Sequence, residues 1–343
     1  MARIVHRESL LKALEDLAPG LAAKEVVEQS SDFVFDGKWI LTYNDQVACR
    51  VPNKAPDGSP MLDLTGAIPA AKFTAILQKL QEEQLEAEVQ DNTLVLKGKS
   101  RKFGVFMSTE ILLDVSSIDK PGKWQKLPDG FEEAVSMVAA CAGKDESLFW
   151  TTCVHITKDH IEAADRFQIC RYMVGLDVQR PLLIKSEVLK AVVARGPTKY
   201  SHTGNWMHFK TASGLIMSCR LYEDDFADVT PYLAVTGTKT SFPKGLVAAI
   251  DKANVFSSEN SSDNQIRVAL RRGKLQVRGE GATGWFQEVK KINYTGQSMA
   301  FFIAPELLVK LTEDHNECQV TPEALKVDGG NFVYVSSLET VED

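Results

Sequence analysis

Gly279, Gly281 and Gly284 form a GxGxxG pattern, the spacing with which a dinucleotide-binding turn sets a pyrophosphate on a helix N-terminus. That chemistry needs a helix directly after the glycines. The next residues, Trp285-Phe286-Gln287-Glu288-Val289, are instead an alternating run that predicts a strand, so the glycines are expected in a tight hairpin. No GxxxxGK[ST] stretch is present, so the chain is not expected to hydrolyse nucleotides. The six histidines (His6, His155, His160, His202, His208, His315) lack HExxH or comparable ligand spacing. His155 and His160, five apart across an expected hairpin, read as satisfied surface side chains rather than a metal pair. Serines show no GxSxG elbow, and acid pairs such as Asp224-Asp225 read as solvated turns. With no catalytic constellation, no cofactor motif and no metal motif, the residues point to a binding or scaffold protein, not an enzyme.

Charge narrows the binding partner. Thirty-nine Lys and Arg against 46 Asp and Glu give a net charge of −7, which argues against a protein that coats nucleic acid by overall positive charge. Local basic surfaces remain open: Lys12, Lys24, Lys72, Lys79, Lys144, Lys190, Lys199, Lys244, Lys252 and Lys310 lie on or near expected helices, offset by acids such as Glu15, Asp16, Glu132, Glu133, Glu306 and Glu313. The six scattered cysteines include no CxxC pair and read as buried small hydrophobes in a reducing cytoplasm. No apolar run approaches the roughly 18 residues of a membrane span, so no membrane partner is expected.

The elements that must position these residues repeat. Arg7–Leu17 places Leu10, Leu11, Leu14 and Leu17 on one helical stripe, followed by strands around Phe33–Phe35 and Trp39–Leu41. A second helix after Pro69 carries Phe73, Ile76, Leu77 and Leu80, and strands run from Leu85 to Met107 with a turn at Asp91-Asn92. The order returns after a Pro/Gly/Lys-rich linker at Lys120–Pro128, with a capping box expected from Asp129 and Glu132. A third copy is expected to open with Ser241 as cap and Pro243 in the first turn. Helix starts recur at about 115-residue intervals, predicting an α+β chain of three like domains at 1–126, 127–236 and 237–343, each with two helices and antiparallel sheets.

With three repeats in hand, the sequence resembles the bacterial DNA polymerase III beta subunits, the sliding clamps. Arg7–Leu14 is similar to that family's opening helix; Gly66–Phe73 and Val95–Phe106, with Gly98-Lys99-Ser100-Arg101, resemble the second half of its first domain. Ala163-Ala164-Asp165-Arg166 stands where the family has Ala-Thr-Asp-Gly, and Phe226-Ala227-Asp228 where it has Phe-Pro-Asp. The resemblance implies the DNA-clamp fold: a homodimeric ring with helices lining the hole, which encircles duplex DNA without reading sequence. It also implies a DNA polymerase tethered for processivity and a clamp-loader ATPase as a further partner.

Site residues carried over by the resemblance fall in three groups. Lys24, Lys79, Lys144, Phe149 and Trp150 stand where the family contacts duplex DNA, joining Lys72, Lys190, Lys199, Lys244 and Lys252 as expected phosphate contacts. Ring closure is expected between an edge strand at Phe103 and Val105 and a helix end at Val255 and Phe256. Ile169, Tyr232, Tyr334, Ser336 and Leu338 match the walls of a pocket for a partner peptide. Here the sequence departs from the family: its Gly-His-Arg is Arg166-Phe167-Gln168, its Met-Pro-Met tail is Ser336-Ser337-Leu338, an acidic extension runs from Glu339 to Asp343, and the first domain's Leu-Pro-x-Leu is missing after Lys24. The expectation is a divergent or phage-encoded ring whose peptide preference has drifted. The alternative is a clamp-fold protein-binding module that no longer encircles DNA and competes for clamp partners.

Overall fold

Leu10 and Leu14 are fully buried in the computed structural model, and the helix that carries them, α1 (Arg7–Asp16), grows directly out of strand β1 (Arg3–His6). The structure describes residues 3–25, 27–55, 57–259, 264–313, 315 and 317–340, so the last three residues of the acidic extension lie outside the described residues. After α1 come β2 (Asp32–Asp36), β3 (Trp39–Tyr43), β4 (Val47–Pro52), β5 (Thr65–Pro69), α2 (Ala70–Lys79), β6 (Gln84–Gln90), β7 (Thr93–Lys97) and β8 (Lys102–Phe106). The succession of one strand, helix, four strands, helix and three strands is then repeated. Its second pass is β9 (Gln125–Lys126), α3 (Phe131–Val138), β10 (Cys153–Ile156), β11 (Ile161–Ala164), β12 (Gln168–Tyr172), β13 (Leu182–Lys185), α4 (Ser186–Val193), β14 (Pro197–Thr203), β15 (Trp206–Thr211) and β16 (Ile216–Arg220). A short helix, α5 (Thr230–Leu233), precedes the third pass: β17 (Thr238–Ser241), α6 (Leu246–Ser257), β18 (Ile266–Arg271), β19 (Lys274–Glu280), β20 (Trp285–Lys291), β21 (Met299–Ile303), α7 (Pro305–Glu313), β22 (Glu317–Val320), β23 (Ala324–Asp328) and β24 (Phe332–Ser337). A two-residue strand, β25 (Glu339–Thr340), comes last.

All pairing is antiparallel and obeys one rule per pass. The first strand pairs with the sixth (β1 with β6, β9 with β14, β17 with β22), and the second with the fifth (β2 with β5, β10 with β13, β18 with β21). The fourth strand of one pass pairs with the last strand of the next: β4 with β16, β12 with β24. The two strands this rule leaves over, β8 and β20, each end a sheet.

The chain divides into two compact units. The first, residues 1–127 and 190–222, holds the sheets β1-β6-β7-β8 and β5-β2-β3-β4-β16-β15-β14-β9. Its core includes Phe33, Phe35, Ile68, Phe73 and Leu77, each burial worth about 1.5–3 kcal/mol. The second unit, residues 128–189 and 223–343, holds β13-β10-β11-β12-β24-β23-β22-β17 and β20-β19-β18-β21-β25. There α6 packs on α7 and on β19, burying Leu246, Ile250, Leu307, Leu308 and Leu311.

Three local expectations need correcting. The capping box expected from Asp129 and Glu132 does not set the N-cap: α3 starts after Gly130, whose left-handed backbone (φ 82°) makes the turn into the helix and which offers no side chain of its own as a cap. Ser241 ends β17, and α6 starts later, after Gly245 (φ 73°) in the same role. Gly supplies that conformation at no steric cost, an option a cap search misses. The linker at Lys120–Pro128 contains β9, which pairs with β14. The GxGxxG segment is the expected hairpin, Glu280 opposite Trp285. Its glycines serve packing: a Cβ on Gly279 would collide with the Ala253 carbonyl of α6, and one on Gly281 with that of Phe256. All six cysteines are free and buried, and among the described residues no helix is long and apolar enough to cross a membrane.

His208 on β15 has no solvent exposure; its Nδ1 lies 2.8 Å from the Oγ of Ser218, its cross-strand neighbour, and its Nε2 2.8 Å from the Oγ1 of Thr203. Desolvation, helped by the nearby Arg50 cation and only partly opposed by Asp119, pushes its pKa down to about 4 from 6.5. The folded value is the lower one, so the neutral ring's contribution is complete above pH 6.5 and is lost as pH falls towards 4, where the unfolded chain takes up a proton that the folded chain refuses. Each pKa unit corresponds to about 1.4 kcal/mol, so the loss is on the order of 3 kcal/mol. Urea unfolding of the wild type and His208→Gln at pH 7 and 4.5 is expected to show a shallower pH dependence for the variant.

Candidate functional site

Alternation along β12 and β24 builds a broad concavity in the second unit. Ile169 on β12 and Val335 on β24 are paired residues whose side chains face the same side, and with Ala164, Val229, Pro231, Ala234, Val235, Pro322 and Ala324 they make an apolar floor. The cleft measures about 790 Å³. Its mouth carries Asp165, Arg166, Asp228 and Glu323, and two exposed aromatics, Phe167 (63% exposed) and Tyr232 (66%). The 165–168 turn is held by the Asp165 carboxylate, which accepts from the Phe167 and Gln168 backbone N–H groups at 2.7 and 2.8 Å. Backbone bonds from Ser337 N–H to the Phe167 carbonyl (2.7 Å) and from Leu338 N–H to the Glu323 carbonyl (2.8 Å) tie the remaining walls together. An apolar trough with a sparse polar rim suits a short extended peptide with hydrophobic anchors.

Of the pocket residues expected from sequence, Ile169 and Tyr232 line this cleft. Tyr334 and Ser336 lie on the opposite side of β24: Tyr334 is fully buried, its hydroxyl donating to Gln168 Oε1 at 3.2 Å, and Ser336 borders a separate small crevice of about 100 Å³. Val335 and Ser337 take their place at the wall. Leu338 follows β24, half-buried and away from the floor. Because side chains alternate along a strand, Tyr334 and Ser336, taken from the family resemblance, fall on the face of β24 turned away from this cleft. Phe167, Pro322 and, Tyr232 apart, the 227–236 wall were not expected from the sequence; they come from loops and the short helix α5, whose approach no periodicity encodes.

The expected DNA contacts are dispersed. Lys72 and Lys79 are exposed on α2 and Lys190 on α4; Lys24 and Lys144 are exposed in loops, and Lys244 precedes α6. Lys199 is exposed on a strand, β14, rather than a helix. Lys252, on α6, is taken up by an ion pair with Glu288 (3.0 Å) and stands over the Phe286 ring. Phe149 and Trp150 are half-buried: Lys185 stands over the Phe149 ring, while Trp150 packs edge-on to Phe226 at 5.1 Å and lines the cleft. Trp150 is therefore a wall of the peptide-sized cleft rather than a free aromatic. At the strand edges, Phe103 and Val105 of β8 are half-buried opposite Leu96 and Leu94, while Phe106 is 81% exposed. Near the end of α6, Val255 is 65% exposed and Phe256 is half-buried beside Gly284.

Next to the cleft, strand register gathers four polar side chains. Glu162 of β11 sits directly opposite His155 of β10 on one side and Arg171 of β12 on the other. The Arg171 guanidinium donates to Glu162 Oε2 at 2.7 Å and to Thr230 Oγ1 at 3.1 Å. His155 Nδ1 (2.8 Å) and His160 Nε2 (3.3 Å) both face Glu162 Oε1. Burial alone would raise the Glu162 pKa, but the hydrogen bonds from His155, His160 and Arg171 outweigh it and bring it down to about 2. The His155 ring stacks on Phe226, 4.6 Å away.

No family model matches the sequence and no curated protein matches it. Solved structures do match, over 99% of this chain and 100% of each of theirs. The DNA polymerase III beta subunit of Thermotoga maritima aligns with a TM-score of 0.74 at 14% identity. A putative beta subunit from Eubacterium rectale aligns at 0.75 and 15%, and a sliding clamp from Bartonella birtlesii bound to griselimycin at 0.76 and 12%. The α+β chain, with its one strand-pairing rule repeated from pass to pass, therefore has the DNA-clamp fold, as the sequence resemblance implied.

Proposed function

We propose that two copies of this chain close into a ring around duplex DNA and tether a DNA polymerase through the cleft of the second unit. The observation that carries this reading is the strand-pairing rule. Each pass hands its fourth strand to the last strand of the next, and among the described residues the fourth strand of the third pass, β20, ends its sheet, as β8 does. Pairing β20 of one copy with β8 of another continues the rule, and doing so twice uses up both leftover strands. The three passes then count as three clamp domains, 1–126, 127–236 and 237–343, and the ring as six. A ring needs no tight grip. Exposed Lys72, Lys79 and Lys190 make exchangeable phosphate contacts that read no bases, while a net charge of −7 limits adhesion to DNA outside the hole. Retention is topological, and a polymerase held by its peptide gains processivity through raised effective concentration. A separate loader ATPase opens the ring, and the cytoplasm keeps the buried thiols reduced. Likeness to beta subunits over the whole chain supports the same reading. The protein acts as a non-catalytic scaffold.

Three outcomes are expected. Protein loaded on closed circular DNA stays bound through a salt wash and leaves when the circle is linearised; equal retention on both forms excludes encirclement. Phe106→Asp combined with Val255→Asp changes two exposed apolar side chains beside the proposed seam, and sedimentation should show the wild-type dimer giving way to monomer while circular dichroism stays unchanged. Ile169→Asp places a charge on the apolar floor, where burying it unpaired is costly. It should weaken a fluorescent polymerase-tail peptide by at least about tenfold, as expected for a buried anchor, and leave the dimer intact. Wild-type peptide affinity in that variant would place the binding site elsewhere.

A further inference from the structure

The His155, His160 and Glu162 cluster is not needed to line the cleft or to close a ring, yet its geometry is specific. His155 Nδ1, His160 Nε2 and a Glu162 oxygen all lie within 4.8 Å of one another. Two imidazole nitrogens aimed at a single carboxylate oxygen are more than one buried acid requires, because Arg171 already neutralises Glu162 through the other oxygen. The arrangement is rigid. Glu162 is 3% exposed and fixed by strand register, and His155 is stacked on Phe226. His160 sits in a turn closed by Thr157, whose Oγ1 accepts from the His160 N–H at 3.0 Å and donates to its carbonyl at 2.8 Å. Gly175 lets a neighbouring segment press against the backbone of that turn at Lys158, where a Cβ would collide.

The geometry points to a divalent transition-metal site, with His155 Nδ1, His160 Nε2 and Glu162 Oε1 as ligands and Zn2+ as the ion it fits best. Zinc takes nitrogen and carboxylate ligands at about 2.0–2.2 Å in a tetrahedron, so its ligand atoms stand about 3.3 Å apart. The observed separations from Glu162 Oε1 are 2.8 and 3.3 Å, and the two imidazole nitrogens lie within 4.8 Å of each other, so the ion requires the His155 contact to open slightly and the two rings to converge on it. Imidazole donors disfavour Mg2+ and Ca2+, which prefer all-oxygen sets. Both histidines are partly exposed, 16% and 20% at the side chain, leaving an entry path and a fourth position for water. Arg171 holds the carboxylate in orientation from behind, but its positive charge opposes the ion and weakens its affinity. The site braces the cleft: Arg171 links Glu162 to Thr230, the first residue of the helix that carries Tyr232, and His155 supports Phe226 next to Ala227 and Asp228 of the wall. Metal binding here does not depend on the ring reading.

The test is calorimetric titration of chelator-treated full-length protein with Zn2+, alongside His160→Ala, His155→Gln and, as a control, His202→Ala, a partly exposed histidine on β14. One Zn2+ per chain is expected in the wild type and the control, with a rise in melting temperature on loading. Losing a group that merely orients a ligand typically costs about 10–100-fold in metal affinity, so losing a ligand should cost at least about 100-fold. His160→Ala, on the partly exposed turn, should therefore remove both binding and the thermal shift. Co2+ should give visible d–d absorption in the wild type that His160→Ala abolishes. If His155→Gln fails to fold, His160→Ala alone decides. Absence of wild-type binding, or wild-type affinity retained in His160→Ala, would overturn the site and leave the cluster as a hydrogen-bonded ion network.

Discussion

Open sheet edges are the constraint on which the rest of this structure depends. An edge strand presents a row of backbone N–H and C=O groups that must be bonded to water or to another strand, and a long apolar edge invites a partner. Within the chain, β16 meets this need for β4 and β24 meets it for β12, joining successive passes into continuous eight-stranded sheets. Among the described residues β8 and β20 are left without such a partner, each ending its sheet. Apolar side chains at or near both strands, Phe106 and Trp285 among them, face solvent, as the proposed seam between copies requires. The C-terminal β25 pairs with β21, whereas the equivalent strands β5 and β13 end their sheets.

Charge is arranged to leave electrostatics weak. Lys252 is paired with Glu288, and Lys12 with Asp16 one helical turn on. Exposed pairs of this kind contribute little to stability, about 0–1 kcal/mol each, but they lower the net positive field of the helices. In the proposed ring a shallow attraction to phosphate would suit sliding, because each tight contact would have to be broken at every step.

The cleft and the histidine cluster show one set of strands doing two jobs. β12 gives Ile169 to the apolar floor and Arg171 to the ion network, positions of equal parity in the strand but at opposite ends of it. Cross-strand neighbours are close by construction, so His155, Glu162 and Arg171 needed only the right register to meet. Any stiffness gained at the cluster is passed to the cleft wall through Thr230 and Phe226.

Much of the fold was legible in the sequence because it rests on local periodicity. The stripe of Leu10 and Leu14, the run of Phe33–Phe35, and the turn at Asp91-Asn92 depend on residues a few positions apart, and such elements repeat. The same locality identified the GxGxxG segment as a hairpin, since a strand rather than a helix comes after it. The cap of α3 and the start of α6 were misread because a left-handed glycine stands at each N-cap in place of a polar residue, a substitution that leaves no pattern of its own. The face of β24 turned towards the cleft, the withdrawal of Trp150 onto Phe226 and the meeting of His160 with Glu162 were decided only in three dimensions. Each depends on which strand lies beside which and in what register, and that is a property of long-range packing that a one-dimensional pattern does not carry.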